Sequence, residues 1–437
     1  MSVSSLPLAT IATQLRNEEI ELADVINHLC DTIDASEPSI QALLPETGRR
    51  SRLLAEAAHL QQRFPDPANR PPLYGIPVGV KDILRVDGFP TQAGSRLPAS
   101  LFAGAEAECV TQLRTAGALI LGKTVSTEFA YFEPGPTRNP RNLKHTPGGS
   151  SSGSAAAVAA NYCPLALGTQ TIGSIIRPAA FCGIVGFKPS FERIATQGMI
   201  FCTHSLDTIG LFTQDVEGMT LAASLLCHNW QSAPSATHLP VLGIPHGPYL
   251  QQASPEALTA FEAQISMLRN NGYKINEVKA LPDIAEINAR HTRIVAAEMA
   301  HEHKAWFAEY EQLYRPRTTD IIRQGQRIAP EELASALPGR AKLRGELQSL
   351  MMQHGIDLWI CPPATSTAPV GISATGDPIM NLPWTHAGLP ALTIPTHYTP
   401  ENLPFGLQIV CAAGGDEYLL ACAQGIAGLF TAGLAHS

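Results

Sequence analysis

Residues 147–189 read PGGSSSGSAAAVAANYCPLALGTQTIGSIIRPAAFCGIVGFKP. Two small Gly/Ser clusters, GGSSSGS at 148–154 and TIGS at 171–174, flank an Ala-rich helix expected over 154–161 and a strand expected over 164–169. Glycine lets backbone N–H groups come close to a ligand. Serine hydroxyls donate hydrogen bonds and, once activated, attack carbonyls. The second cluster is expected to open the next helix at Ser174, where free N–H groups and the helix dipole favour negative charge. Such a loop has the geometry to hold a developing oxyanion.

Helical and extended segments alternate on both sides of this stretch. Apolar residues recur with a helical period over 8–34, at Leu8, Ile11, Leu15, Ile20, Leu22, Val25, Ile26 and Leu29. Further helices are expected over 53–64, 107–117, 255–272 and 284–311, and strands over 74–86, 119–122, 238–247 and 357–361. Residues 206–226, LDTIGLFTQDVEGMTLAASLL, read as mostly helical. This alternation predicts an α/β fold, a sheet with helices on its faces.

The 437 residues are 45% hydrophobic and carry a net charge of −8. No repeat and no Gly/Ser-rich or charged linker divides them. The absence of a Lys/Arg run argues against a nucleic-acid partner. No stretch approaches the roughly 18 apolar residues of a spanning helix, so no membrane partner is expected. The opening MSVSSLPLATIATQLRNEEI lacks the cationic segment and apolar run of a signal peptide. Nine cysteines without CxxC pairs point to reduced, buried thiols and a cytoplasmic protein.

Together with GIPVGVKD at 75–82, the two serine clusters resemble the amidase signature family of serine amidohydrolases. SLDTIG at 205–210, TGDPIMNLPWTHAGLPALTIP at 375–395 and LPFGLQIV at 403–410 carry the likeness to the C-terminus. The resemblance implies a single large domain over 1–437 with a mixed sheet. Within it lie an N-terminal helical segment (1–70), the signature core (71–215) and a C-terminal part (216–437). It implies hydrolysis of a small carboxamide to an acid and ammonia through an acyl-serine, with no metal or organic cofactor. Matched motif to motif, Ser174 is the nucleophile, Ser150 the bridging serine and Lys81 the third member of a Ser-Ser-Lys triad. The Gly149–Ser150 peptide is expected to be cis. Many members are homodimers, and a homodimer is expected here.

An unactivated serine needs a base. Of the 14 histidines, only His145 lies near either cluster in sequence. Lys81 follows Ile76, Val78 and Val80 in a strand bounded by glycines. Burial there penalises the ammonium form and lowers its pKa. A neutral Lys81 takes a proton from Ser150, which takes one from Ser174. The backbone N–H groups of Thr171, Ile172, Gly173 and Ser174 are the expected oxyanion donors. Gly149, Ser151 and Gln170 support the two loops. Ala130, in EFAYF at 128–132, joins Ser150 and Arg177 as a substrate-binding residue.

Two departures from the common family pattern stand out. T-D-T-G-G-S-I-R-x-P is here T-Q-T-I-G-S-I-I-R-P. Gln170 replaces the aspartate, Ile176 occupies the arginine position, and Arg177 stands one place later. Losing both members of an ion pair together avoids an orphaned buried charge. The arrangement resembles the malonamidase-like branch, which implies that Arg177 holds a substrate carboxylate, a task that suits its planar fork. The other reading gives Arg177 a structural role, capping a carbonyl or pairing with an acid. Ile172, in place of glycine, adds bulk beside the acyl site.

Other functions compete. Within the family, the glutaminase subunit of a tRNA-dependent amidotransferase is an alternative. GSSSG at 149–153 also fits the G-x-S-x-G elbow of an α/β-hydrolase-type serine esterase, with Ser151 as nucleophile. Polar RNPRNLKHTP precedes it where an elbow needs an apolar strand. Neither cluster ends in GK[ST], so neither is a P-loop. His301, Glu302 and His303 project to different faces of a helix, so no metal site is expected.

Overall fold

The apolar run after Gly75 forms the strand expected of it, β1 (Pro77–Lys81), and every residue of that strand is buried. The computed structural model describes residues 7–232 and 238–434. Nine more strands follow: β2 (Leu119–Thr124), β3 (Leu165–Gln170), β4 (Val185–Lys188), β5 (Thr208–Thr213), β6 (Leu242–His246), β7 (Ile275–Lys279), β8 (Leu358–Cys361), β9 (Ala391–Tyr398) and β10 (Pro404–Val410). All ten join one mixed sheet in the order β2-β1-β3-β5-β4-β9-β10-β8-β6-β7. β1 runs parallel to both β2 and β3, and β6 runs parallel to β7 and β8. The five pairings from β3 through to β8 are antiparallel. The α/β reading with one mixed sheet in a single domain holds.

Some elements differ from the expectation. Residues 206–226 are not mostly helical: they contain β5 and then the helix Val216–Leu226. β5 lies between β3 and β4 and is buried along its whole length. A strand covered on both faces loses its polar alternation and reads like a buried helix. The helix itself starts at Asp215, whose carboxylate accepts the Gly218 N–H at 2.8 Å. The helical stretch over 8–34 is two helices, Leu8–Arg16 and Leu22–Ile40, with Glu18 at a positive φ of 61° between them. The helix after TIGS begins at Ile176, not at Ser174. Three C-terminal helices that periodicity did not mark, Pro316–Gly325, Pro330–Ala336 and Pro338–His354, each start on a proline.

The helix Ser152–Ala159 sets the position of the first serine cluster. Ala155, Ala156, Ala157 and Val158 are wholly buried, and their small size lets the helix press on the sheet. A Cβ on Gly153 would fall 2.2 Å from Ala42 O and 2.3 Å from Val125 N, so only glycine allows this approach. Ser154 Oγ donates to Leu167 O on β3 at 2.7 Å and lies 2.7 Å from Thr124 Oγ1 on β2. The loop before the helix is thereby held over the carboxyl ends of β1 and β3. All nine cysteines are unpaired and buried. Among the described residues, no helix is long and apolar enough to cross a membrane.

Candidate active site

Lys81 ends β1 with no exposed surface. It is one of three deeply buried lysines, and their partners separate them. Lys123 pairs with the Asp82 carboxylate at 2.9 Å and donates to Thr91 Oγ1 at 3.1 Å. Lys188 donates to Pro189 O at 2.8 Å. Lys81 meets hydroxyls: Nζ lies 2.7 Å from Ser150 Oγ and 2.9 Å from Thr169 Oγ1. Burial lowers the Lys81 pKa to about 7, against the opposite pull of Asp207. An amine in this setting is present in both forms near neutrality.

Ser150 follows a cis peptide from Gly149. Ser151 is fully buried: its Oγ donates to Thr169 O and accepts the Thr169 N–H, both at 3.2 Å. It ties the loop to β3 and leaves no free hydroxyl for the elbow reading. Gly149 also sits tightly, since a Cβ there would come 2.7 Å from Thr375 Cγ2.

The second loop leaves the end of β3. Gln170 is wholly buried, and its Oε1 accepts the N–H groups of Ile175 and Ile176 at 2.8 and 3.0 Å. Gln170 thus caps the helix Ile176–Cys182. Among the described residues, no acceptor meets the N–H groups of Thr171, Ile172, Gly173 or Ser174. Ser174 makes no side-chain hydrogen bond to any described residue, and none joins it to Ser150. The single Lys81–Ser150–Ser174 chain expected from the resemblance is therefore closed only at its first link. Ser150 Oγ meets Lys81, and Ser150 and Ser174 border one cavity without a hydrogen bond between them.

That cavity is tight, about 10 Å³, room for about one water. Ser150, Ser174 and Arg177 line it together with Thr171 and Ile172. Ala130, Tyr131 and Phe132 form another wall, with Ala130 at a positive φ of 59°. Tyr131 and Phe132 also border an outer chamber of about 370 Å³. A larger groove of about 730 Å³ beside Glu37, Asp82 and Gln92 holds none of these residues. Chemistry rather than volume marks the site.

Arg177 is 2% exposed. Its Nη2 donates to Gly149 O at 2.6 Å and to Thr375 Oγ1 at 3.2 Å. Nε and Nη1 are buried with no partner among the described residues, and no carboxylate among those residues pairs with the guanidinium. Burial brings its pKa down to about 10, with Asp377 pulling the other way, so it is a cation at neutral pH.

Several neighbours escaped the sequence reading. Thr169 shares Lys81 with Ser150. Asp207, 2% exposed, accepts from Thr171 Oγ1 at 2.5 Å and from the N–H groups of Cys202 and Thr203 at 2.7 and 3.1 Å. Thr385 joins Gln170 to Ile172 O. Asp207 and Thr385 both lie in family-like motifs, SLDTIG and 375–395, so their motifs were visible although their contacts were not. The histidines take other work. His145 Nδ1 lies 2.7 Å from Ala368 O. His303 turns inward to Tyr314 OH at 3.0 Å while Glu302 pairs with His204 at 2.8 Å.

The chain matches the model of the Amidase family over residues 24–420. One component of the glutamyl-tRNA(Gln) amidotransferase of Roseiflexus castenholzii is 31% identical across 95% of this chain and 94% of its own length. A crystal structure of an amidase superposes with a TM-score of 0.88 at 28% identity, covering 97% of this chain and all of the other. The native peptide amidase of Stenotrophomonas maltophilia shares the fold, with a TM-score of 0.82 at 23% identity over 98% of this chain and 97% of that one.

Proposed function

Since the chain belongs to the amidase family, we propose that it hydrolyses a small carboxamide carrying a carboxylate, through an acyl-Ser174 intermediate. One observation carries this reading. A lysine with its pKa brought down to about 7 touches Ser150, beside a second serine and an arginine with two free donors.

Neutral Lys81 takes the Ser150 proton as Ser150 takes that of Ser174. Ser174 Oγ attacks the amide carbon, and the oxygen gains negative charge in front of the 171–174 N–H groups. The C–N bond breaks as the proton returns through Ser150 to nitrogen, and ammonia leaves. Water then attacks the ester by the same relay and frees the acid. The relay requires Ser174 to turn onto Ser150 when substrate fills the cavity, since catalytic hydrogen bonds often tighten only in the complex. Ile172 and the tight walls favour a short acyl group.

Arg177 supplies the anion site. A charge-assisted bond is worth about 1.5–3 kcal/mol, so Arg177→Ala should lower kcat/KM for short dicarboxylic monoamides by roughly 10- to 150-fold. Neutral aliphatic and aromatic amides should lose far less. A substrate panel run on both proteins checks this, and equal losses for the two classes would assign Arg177 a structural role.

A second reading has its own support, because the Roseiflexus relative is one component of a glutamyl-tRNA(Gln) amidotransferase. Under it, the chain is a glutaminase working with a partner protein. Glutamine turnover that rises on adding a co-purifying partner would favour it over the stand-alone amidase.

A further inference from the structure

Two carbonyls of the 172–174 loop are held by hydrogen bonds. Ile172 O accepts from Thr385 Oγ1 at 2.7 Å. Gly173 O accepts from Arg177 N at 3.0 Å. In a trans peptide, C=O and N–H lie in one plane and point opposite ways, and the only cis peptide among the described residues is Gly149–Ser150. Fixing Ile172 O on Thr385 therefore turns the Gly173 N–H away from Thr385. Fixing Gly173 O on the helix turns the Ser174 N–H away from the helix. The cavity borders this loop at Ile172 and Ser174.

Gln170 sets the polarity of the Thr385 hydroxyl. Its Oε1 is committed to Ile175 and Ile176, and its Nε2 donates to Thr385 Oγ1 at 2.9 Å. With that lone pair taken, the Thr385 proton goes to Ile172 O, with Asn381 O a longer second acceptor at 3.2 Å. Gln170 is wholly buried and Thr385 is 2% exposed. An ionised carboxylate at 170 could only accept. The hydroxyl would then turn toward it and release Ile172 O.

We propose that Thr385 is a positioning residue for the oxyanion loop, and that Gln170 fixes the direction of its hydrogen bond. The pair aims the Gly173 N–H at the oxygen of the tetrahedral intermediate, and this inference rests on the acyl-Ser174 reading. The donor at position 170 and the hydroxyl at 385 thus form one device, in which a neutral amide does what a carboxylate would undo.

The test compares Thr385→Val, Thr385→Ser and Gln170→Glu in the full chain. Each is read by kcat, by the affinity of an alkyl boronic acid that forms a tetrahedral adduct on serine, and by inhibition by the product acid. Thr385→Val and Gln170→Glu should lose roughly 10- to 100-fold in kcat and in boronate affinity alike, less than or near the loss of a whole oxyanion donor. Product-acid inhibition should stay within about twofold, because the ground-state acid does not draw on that donor. Thr385→Ser should restore both lost quantities. Unchanged kcat and boronate affinity in Thr385→Val would overturn the proposal. So would an equal loss of acid and boronate binding, or a failure of Thr385→Ser to rescue. If instead the acyl-serine reading is at fault, the boronate will bind wild type and Ser174→Ala equally.

Discussion

Ser174→Ala should abolish acyl transfer and leave the fold standing. Removing the nucleophile of a comparable serine relay costs on the order of 10⁴- to 10⁶-fold in kcat. Ser174 is 6% exposed, and its hydroxyl makes no hydrogen bond to the described residues. Its loss orphans no buried group, so stability should change by less than about 1 kcal/mol. Mass spectrometry of wild type quenched during turnover should show an acyl adduct on Ser174, and the variant should show none. An adduct on Ser150, or turnover that survives the substitution, would move the nucleophile elsewhere.

The second large effect belongs to Lys81. A base must be neutral to accept a proton, so kcat/KM should climb with pH through about 7 and level off above it. On the acid side, it should fall about tenfold per pH unit, as for one ionising group. Lys81→Met should lose roughly 10²- to 10⁴-fold and flatten that limb. A variant that keeps the wild-type profile would place the base at another residue. Stability carries the same signature with a definite sign. Between the folded value of about 7 and the ordinary 10.5, the unfolded chain holds a proton that the folded chain lacks. The contribution of Lys81 to stability therefore rises with pH across that window. Lys188 is also lowered to about 7 and shares the window, but it touches Pro189 O and no serine. Lys123, also lowered by burial, adds to that slope, and the buried thiols, raised by burial from 9.0, oppose it above that pH; the activity limb belongs to Lys81 alone.

What the sequence disclosed and withheld follows from range. β1 was legible because Ile76, Val78 and Val80 stand between glycines, and that strand delivers Lys81 to the site. The convergence of Lys81, Ser150 and Ser174 on one locality was legible only through the family resemblance that their motifs carry. β5 was not legible, because two-sided burial removes the alternation that separates strand from helix. The helix after TIGS was expected to open at Ser174, because the Gly/Ser cluster ends there. The cap is Gln170, whose side chain reaches forward five and six residues to Ile175 and Ile176. Thr385 and Asp207 were out of reach for another reason. Each meets the TIGS loop only through the sheet's pairing and the packing of the helix Leu382–His386. No local pattern encodes such a contact.

The nine thiols have a use unconnected with catalysis. Each is buried, at most 6% exposed, and together they run from Cys30 in the helix Leu22–Ile40, through Cys361 on β8, to Cys422 in the last helix. An alkylating reagent reaches such a sulfur only when its surroundings open. At high reagent concentration, the labelling rate reports how often that happens, and at low concentration how large the open fraction is. Peptide mapping after timed alkylation would thus resolve nine separate opening equilibria along an unmodified chain, and show whether the β1–β3 end of the sheet or the β6–β7 end yields first.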